Sequence, residues 1–154
     1  MISCTEFIPA YSEGFKFFEL LGGRKELEKF WGYLSDLYLK DTLSKLVAEE
    51  GLEGCNTYWS QSLNEEAADF KMVLDEIKGE FRIDMLKCPS KGMLNELKHI
   101  DPYHSYCDHC TALYRPIIEQ KGYKYDEDLS NCDEAKCIIT ISIKKRIFNN
   151  KNEK

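Results

Sequence analysis

The fold of this chain is decided by the stretch E-F-R-I-D-M-L-K, Glu80 to Lys87. Apolar side chains occupy every second position from Phe81 to Met85, and charged residues separate them, which is the period of a half-buried β-strand. The run Asp69–Asp75 is also predicted to be a strand, and a turn at Lys78-Gly79 joins the two. The sequence therefore predicts a pair of strands with one face towards a core.

A second pair of strands is predicted later in the chain, at Tyr123–Asp128 and Cys137–Lys145. Four isoleucines make the last segment the most strongly β-forming part of the sequence. The order is then helices, two strands, a helix and two strands. This order predicts an α+β fold in which an antiparallel sheet of about four strands packs with N-terminal and central helices.

The segment before the first strand is predicted to be largely helical. Pro9 suits the first turn of a helix that ends at Gly22-Gly23. From Arg24 to Glu50, apolar residues recur mostly at three- and four-residue steps, which is helical spacing. A break is expected near Asp41, and Gly51 is the expected C-cap.

The central helices are predicted from turn residues and capping residues. Glu53–Glu66 is expected to be partly helical, and a short helix is expected over Met93–Lys98. Asp101-Pro102 has the residue types of an N-cap and a first helical position, so the next helix is predicted to begin there. Gly122 is expected to end this helix, and Pro116 is expected to kink it.

Length and charge limit the class of protein. The chain has 154 residues and a formal net charge of −6. This length predicts a single domain over residues 1–148, followed by a flexible polar tail over 149–154. The negative charge argues against a nucleic-acid or anionic-membrane partner.

The expected location is cytoplasmic. No apolar run approaches the length that spans a bilayer, and Met1–Ala10 lacks the basic and apolar regions of a signal peptide. The expected partner is a small-molecule substrate, with no nucleic acid and no membrane. The oligomeric state stays open, with a homodimer as one alternative.

The cysteines are the most informative residues for function. The sequence contains seven, and they are interpreted as thiols because structural disulfides are rare in the cytoplasm and an odd count fits a disulfide framework poorly. The motif Y-C-D-H-C places Cys107 and Cys110 on one face of the predicted helix. His104 precedes Cys107 by three residues and extends this stripe of soft ligands, whereas His109 is expected to point away from Cys110.

Three more cysteines can join this stripe at the end of a sheet. Cys88 ends a predicted strand, Cys132 lies in a loop and Cys137 opens the last strand, although strand alternation can turn Cys137 away from Cys132. Thiolate and imidazole ligands suit zinc or another divalent metal. The predicted metal ligands are Cys88, Cys107, Cys110, Cys132 and His104.

Two other interpretations of the thiols remain open. Free cysteine is often buried as a small apolar residue, and this is the default for Cys4 and Cys55. A redox pair needs a thiolate near a helix N-terminus. Cys107 falls in the second turn of the predicted helix, and the preceding βαβ pattern is missing, so the redox interpretation ranks below a metal site or a catalytic thiol.

Charged residues add candidates for catalysis. Glu65 belongs to an acidic cluster and can act as a general base if burial raises its pKa, although such clusters are more often solvated helix ends. Arg82 can bind a substrate carboxylate, although an isolated arginine is more often in contact with water.

Several motifs together resemble the L-2-amino-thiazoline-4-carboxylic acid hydrolase family of bacterial proteins. They are N-E-E-A-A-D-F (64–70), F-R-I-D-M (81–85), C-P-S-K-G-M-L (88–94), Y-C-D-H-C-x-x-L-Y (106–114) and G-Y-x-Y-x-x-D-L-S-x-C (122–132). The likeness extends from about residue 7 to residue 143. It implies a hydrolase-like domain that opens a small cyclic amidine such as L-2-amino-thiazoline-4-carboxylate at a cysteine-lined site. Within that reaction Cys88, Cys107, Cys110 and Cys132 can hold a metal or supply a nucleophile, and Cys107 is the expected catalytic thiol. Glu65 is expected to act as base and Arg82 to bind the substrate carboxylate.

The order C-P…C-x-x-C…C is also similar, more weakly, to domains of the 4-vinyl-reductase type. That resemblance implies a small α+β ligand-binding module with a metal-binding cysteine cluster. The alternative function is therefore a non-catalytic small-molecule or metal-binding sensor domain. A purely structural role, in which the cysteines fill the core, is the third alternative.

Overall fold

A computed structural model describes residues 4–65 and 68–144. Its elements follow the predicted order of helices, two strands, helices and two strands. In chain order they are α1 (Cys4–Leu39), α2 (Leu43–Glu50), α3 (Leu52–Glu65), β1 (Asp69–Asp75), β2 (Glu80–Lys87), α4 (Pro89–Glu96), α5 (Asp108–Gln120), β3 (Tyr123–Asp128) and β4 (Cys137–Ile143), with a 3-10 turn at Cys132–Glu134 before β4. The predicted tail, 149–154, lies outside the described residues.

The four strands form one antiparallel sheet in the order β1-β2-β4-β3. Ile83 pairs with Ile139, and Met85 pairs with Cys137, so these side chains share the face that turns towards the helices. The end of β2, the start of β4 and the end of β3 therefore meet at the same end of the sheet. The predicted fold class is confirmed.

The main core lies between the sheet and helices α2, α3 and α5. Its buried members are Leu39, Leu43, Val47, Cys55, Trp59, Leu63, Phe81, Ile83, Met85, Ile117, Ile118, Tyr125, Ile139 and Ile141. Helices α2 and α3 approach closely at Gly54, where an added Cβ would lie 2.3 Å from the carbonyl oxygen of Leu46. The C-cap predicted at Gly51 is confirmed: its N–H donates to Val47 O, and its φ is 65°.

A second core joins α1 to α4 and to the segment before α5. It contains Phe15, Leu27, Trp31, Leu94, Tyr103 and Tyr106. The helix end predicted at Gly22-Gly23 is a kink within α1, where Gly23 has a φ of 71°. Beyond the kink, Arg24 stacks on Trp31 at 4.6 Å and forms an ion pair with Asp108 at 3.0 Å. These contacts fix the start of α5 against α1.

The predicted helix start at Asp101-Pro102 is wrong, because α5 begins at Asp108. Tyr103 and Tyr106 are each only 2% exposed, and both enter the second core. The backbone forms a tight turn here, in which Tyr106 N–H donates to Tyr103 O. Tyr103 N–H donates to Ser12 Oγ on α1. Burial of the two tyrosines therefore outweighs the local capping signal.

Helix α4 also begins earlier than predicted, at Pro89 rather than Met93. Cys88 is its N-cap, and its sulfur accepts a hydrogen bond from Lys91 N–H at 3.5 Å. Proline is favoured at the first helical position because it has no N–H to satisfy there. Among the described residues, no helix has both the length and the apolarity needed to cross a membrane.

Candidate functional site

The five cysteines from the second half of the chain converge beneath the N-terminus of α5. We call them the cysteine cluster: Cys88, Cys107, Cys110, Cys132 and Cys137. They come from the end of β2, the N-cap and first turn of α5, the 3-10 turn and the start of β4. All five are thiols, and each keeps some exposed surface. The site is therefore built by the end of the sheet and the helix above it.

Backbone contacts hold the elements of the cluster together. Cys88 N–H donates to Ala135 O at 2.7 Å, and Ala135 N–H donates to Cys132 O at 3.0 Å. Ala135 has a φ of 60°, a left-handed conformation that reverses the chain between the 3-10 turn and β4. Cys137 pairs with Met85 on the helix-facing side of the sheet, so alternation turns it towards the cluster.

Electrostatic effects between the sulfurs agree with their positions at one end of the sheet. Burial, then the thiols of Cys132 and Cys88, raise the pKa of Cys107 to about 12. Burial, then Glu127 and Cys88, raise the pKa of Cys137 to about 12. Burial also raises the pKa of Cys110 well above its usual value. Cys107, Cys110 and Cys137 are therefore protonated at neutral pH in the absence of a cation, because burial, and then the neighbouring acidic groups, disfavour the thiolate.

Sulfur donors suit a thiophilic cation, although the cluster side chains do not yet form a complete coordination shell. Among residues 4–65 and 68–144, no three His, Cys, Asp or Glu side chains are positioned as a ready-made metal site. The cluster has more sulfurs than the four ligands that zinc needs. Closing a tetrahedral site would therefore require rotation of side chains, and the backbone already brings them to the same end of the sheet.

The histidine near the sulfurs is His109 rather than His104. His104 is exposed and lines a surface groove of about 390 Å³ together with Tyr103. The predicted stripe of His104, Cys107 and Cys110 does not form, because the helix begins only after Cys107. The expectation that His109 points away from Cys110 was wrong: its Nε2 lies 3.6 Å from Cys110 Sγ.

The His109 ring is enclosed by protein. Its Nδ1 lies within hydrogen-bond distance of Tyr106 O, and the rings of Tyr11, Phe15 and Tyr106 surround it at centroid distances of 5.5, 5.5 and 4.8 Å. Burial lowers the pKa of His109 to about 4. The imidazole is therefore neutral at pH 7, which is the form that binds metals.

Sequence reasoning missed Glu127, the carboxylate that lies beside the cluster. Glu127 pairs with Ile139 across the sheet and so shares its helix-facing side. Its carboxylate accepts a hydrogen bond from Thr111 Oγ1 on α5, and burial raises its pKa. The alternation that makes Tyr125 a buried residue would have placed Glu127 on the same face.

A cation also borders the cluster. Lys91 is on α4, and its side chain is only 13% exposed. Its Nζ lies 4.0 Å from the carboxylate of Asp133, which is 98% exposed. Lys91 lowers the pKa of Cys107, against the larger effects of burial, Cys132 and Cys88. An anionic ligand at the cluster would therefore meet a positive charge there.

The structure does not bring Arg82 or Glu65 to the cysteine cluster. Arg82 lies on the face of the sheet opposite Met85, where its guanidinium pairs with Asp84 at 2.6 Å and is 41% exposed. Strand alternation causes this separation. Glu65 is exposed at the end of α3, accepts a hydrogen bond from Gln61 at 3.4 Å and lines a groove between α2 and α3.

The structure removes one objection to a redox role for Cys107 and adds another. Cys107 is the N-cap of α5, so the objection that it falls too late in the helix is wrong. Its side chain makes no capping hydrogen bond, however, and its pKa is raised rather than lowered. A reactive redox cysteine needs thiolate character at neutral pH. The raised pKa of Cys107 therefore argues against disulfide exchange at this site.

No family model, curated protein or solved structure matches this chain. The function is therefore inferred from the chemistry of the site.

Proposed function

We propose that this protein binds a thiophilic divalent cation, zinc above all, at the cysteine cluster. The observation that supports the proposal is the convergence of five thiols from separate elements onto one end of the sheet. Thiolates are the ligands that zinc prefers. A cytoplasmic location, which the sequence predicts, would keep these thiols reduced.

The contrast with Cys55 argues against a filling role for the cluster. Cys55 is fully buried in the main core, and burial alone raises its pKa to about 12. The cluster cysteines instead keep exposed surface and act electrostatically on one another. Cys88 and Cys137 also pack against the edge of the main core, but a cation would in addition stabilise neighbouring thiolates.

The first prediction concerns protons that zinc releases. Because zinc binds thiolates, and the raised pKa values of Cys107, Cys110 and Cys137 keep these groups protonated at neutral pH, binding at pH 7.5 is expected to release roughly one proton per coordinating sulfur, about three or four in all. Calorimetric titration of the reduced protein with zinc, in two buffers of different ionisation enthalpy, measures this number. One zinc per chain is expected.

A Cys55→Ser protein is the control, because Cys55 lies outside the cluster. It should bind zinc with the same stoichiometry and the same proton release. Binding without proton release would place the cation on surface carboxylates, and failure to bind at micromolar zinc would contradict the proposal.

Glu127 and Lys91 favour a second candidate function. The hydrolase that the sequence resembles would add water to the ring carbon of a cyclic amidine such as L-2-amino-thiazoline-4-carboxylate, and the carbon–sulfur bond would break. In that reaction Glu127, whose pKa is raised by burial, would donate a proton to the leaving sulfur. Lys91, which borders the cluster, would bind the substrate carboxylate. A cation at the cluster would polarise the attacked group.

The second prediction tests these roles. Glu127→Gln is expected to lower kcat by roughly 10²–10⁴, because proton transfer contributes that much to a typical enzyme. Lys91→Met is expected to raise KM. The appearance of the product thiol measures both constants.

Asp126→Asn is the matched control, because Asp126 neighbours Glu127 on the exposed side of β3 and pairs with Lys124 at 2.6 Å. Its kcat and KM should be unchanged. Equal losses in the Asp126 and Glu127 proteins, or absence of turnover in the zinc-loaded wild type, would rule out the catalytic role and leave cation binding as the function.

A further inference from the structure

We infer that His109 supplies a nitrogen ligand to the cation, in place of the histidine that the sequence pattern indicates, His104. The inference rests on the proposed function, because it specifies the ligand set of the same site. It turns a group of thiols into a mixed sulfur and nitrogen site.

The tautomer of His109 is determined by its neighbour. A backbone carbonyl can only accept a hydrogen bond, so the contact of Nδ1 with Tyr106 O requires the ring proton on Nδ1. The lone pair is then on Nε2, the atom that faces Cys110 Sγ. Histidines that bind metals are commonly held in this way, with the distal nitrogen donating to a carbonyl or a carboxylate.

The spacing of the two donor atoms suits a shared cation. Zinc lies about 2.3 Å from a thiolate sulfur and about 2.0–2.1 Å from an imidazole nitrogen, in a tetrahedral arrangement. Those lengths place sulfur and nitrogen ligands about 3.6 Å apart. The distance from His109 Nε2 to Cys110 Sγ is 3.6 Å. One ion can therefore contact both atoms without moving the backbone.

The remaining ligands are available from the cluster. The thiols with the largest electrostatic effect on Cys110 are those of Cys88, Cys137 and Cys107. Three sulfurs and one nitrogen would complete a tetrahedral zinc site. Because Tyr11, Phe15 and Tyr106 pack around the His109 ring, the nitrogen is oriented before any ion arrives.

X-ray absorption at the zinc edge tests the ligand set in the reduced full-length protein loaded with one equivalent of zinc. Wild type should show sulfur at about 2.3 Å and nitrogen at about 2.0–2.1 Å, with outer-shell scattering from imidazole carbons. His109→Phe keeps an aromatic ring in contact with Tyr11, Phe15 and Tyr106, and its spectrum should lose the imidazole scattering. Its zinc affinity should fall at least ~100-fold.

His104→Phe is the matched control and should keep both the spectrum and the affinity. Should His109→Phe fail to fold, the wild-type spectrum and the ¹⁵N shift of Nε2 on zinc addition still decide the matter. An all-sulfur shell in wild type, or loss of the imidazole signal in His104→Phe, would overturn the inference while cation binding stands. Failure of zinc to bind at all would remove the proposed function itself.

Discussion

Gly54→Ala is expected to lower the free energy of unfolding by roughly 3 kcal/mol, because the new methyl group has no room. An ideal Cβ at this position would lie 2.3 Å from Leu46 O and 2.9 Å from Val47 N. Both are backbone atoms of α2 and cannot rotate away, so the two helices must separate over the main core. Urea unfolding followed by circular dichroism measures the change.

Gly14→Ala is the matched control, because nothing lies within 4 Å of a Cβ added there in α1. Alanine has the higher helix propensity, so this change should raise stability by about 0.5–1 kcal/mol. A small effect at Gly54 of the same sign as at Gly14 would show that α2 and α3 do not pack as closely as the structure indicates.

Cys137→Ser is expected to weaken zinc binding strongly. It removes one sulfur that lies on the helix-facing side of the sheet, and zinc affinity should fall at least ~100-fold, because each thiolate carries a large share of the binding free energy. Wild type in zinc at about 1,000 times Kd should gain about 4 kcal/mol of stability, and the variant should lose most of that gain. Thermal unfolding with zinc and with a chelator measures both values.

Cys55→Ser separates ligand loss from core damage. It places a hydroxyl in the main core and should cost about 1–3 kcal/mol with zinc and with chelator alike. The difference between the two conditions should therefore match wild type. If Cys137→Ser behaved in the same way as Cys55→Ser, Cys137 would be a core residue and not a ligand.

Strand prediction succeeded because alternation reports directly on burial. The period from Phe81 to Met85 predicts both the strand and its buried face, and the structure confirms them. Helix starts were predicted less well. Asp101-Pro102 has the local chemistry of a cap, but Tyr103 and Tyr106 are buried by residues of α1, which are remote in sequence. A local signal cannot include that contact.

In the candidate site, too, features that depend on strand positions were predicted better than those that depend on a helix start. The sequence indicated that the end of a sheet beside a helix start could bring the thiols of the second half of the chain together and left Cys137 open; the elements that carry them do lie at one end of the sheet, and Cys137 pairs with Met85 on its helix-facing side. The direction of the His109 side chain depends on where α5 begins. Because the helix was predicted to begin several residues too early, His104 was chosen as the candidate ligand and His109 was rejected, whereas His109 is the histidine in contact with Cys110. Glu127 was visible in the alternation of β3 but carried no motif.

The strand order β1-β2-β4-β3 has a consequence for folding. The strand furthest along the chain lies between two that precede it, so the β1-β2 hairpin and β3 have no contact through hydrogen bonds until β4 inserts. The pairing of β2 with β4 closes a large loop and is intrinsically slow, whereas β3 and β4 are neighbours along the chain. Cys88 follows β2 and Cys137 opens β4, so these two residues approach each other when β2 and β4 pair. A nascent chain would expose its thiols separately, and the proposed binding site would be complete only after that pairing.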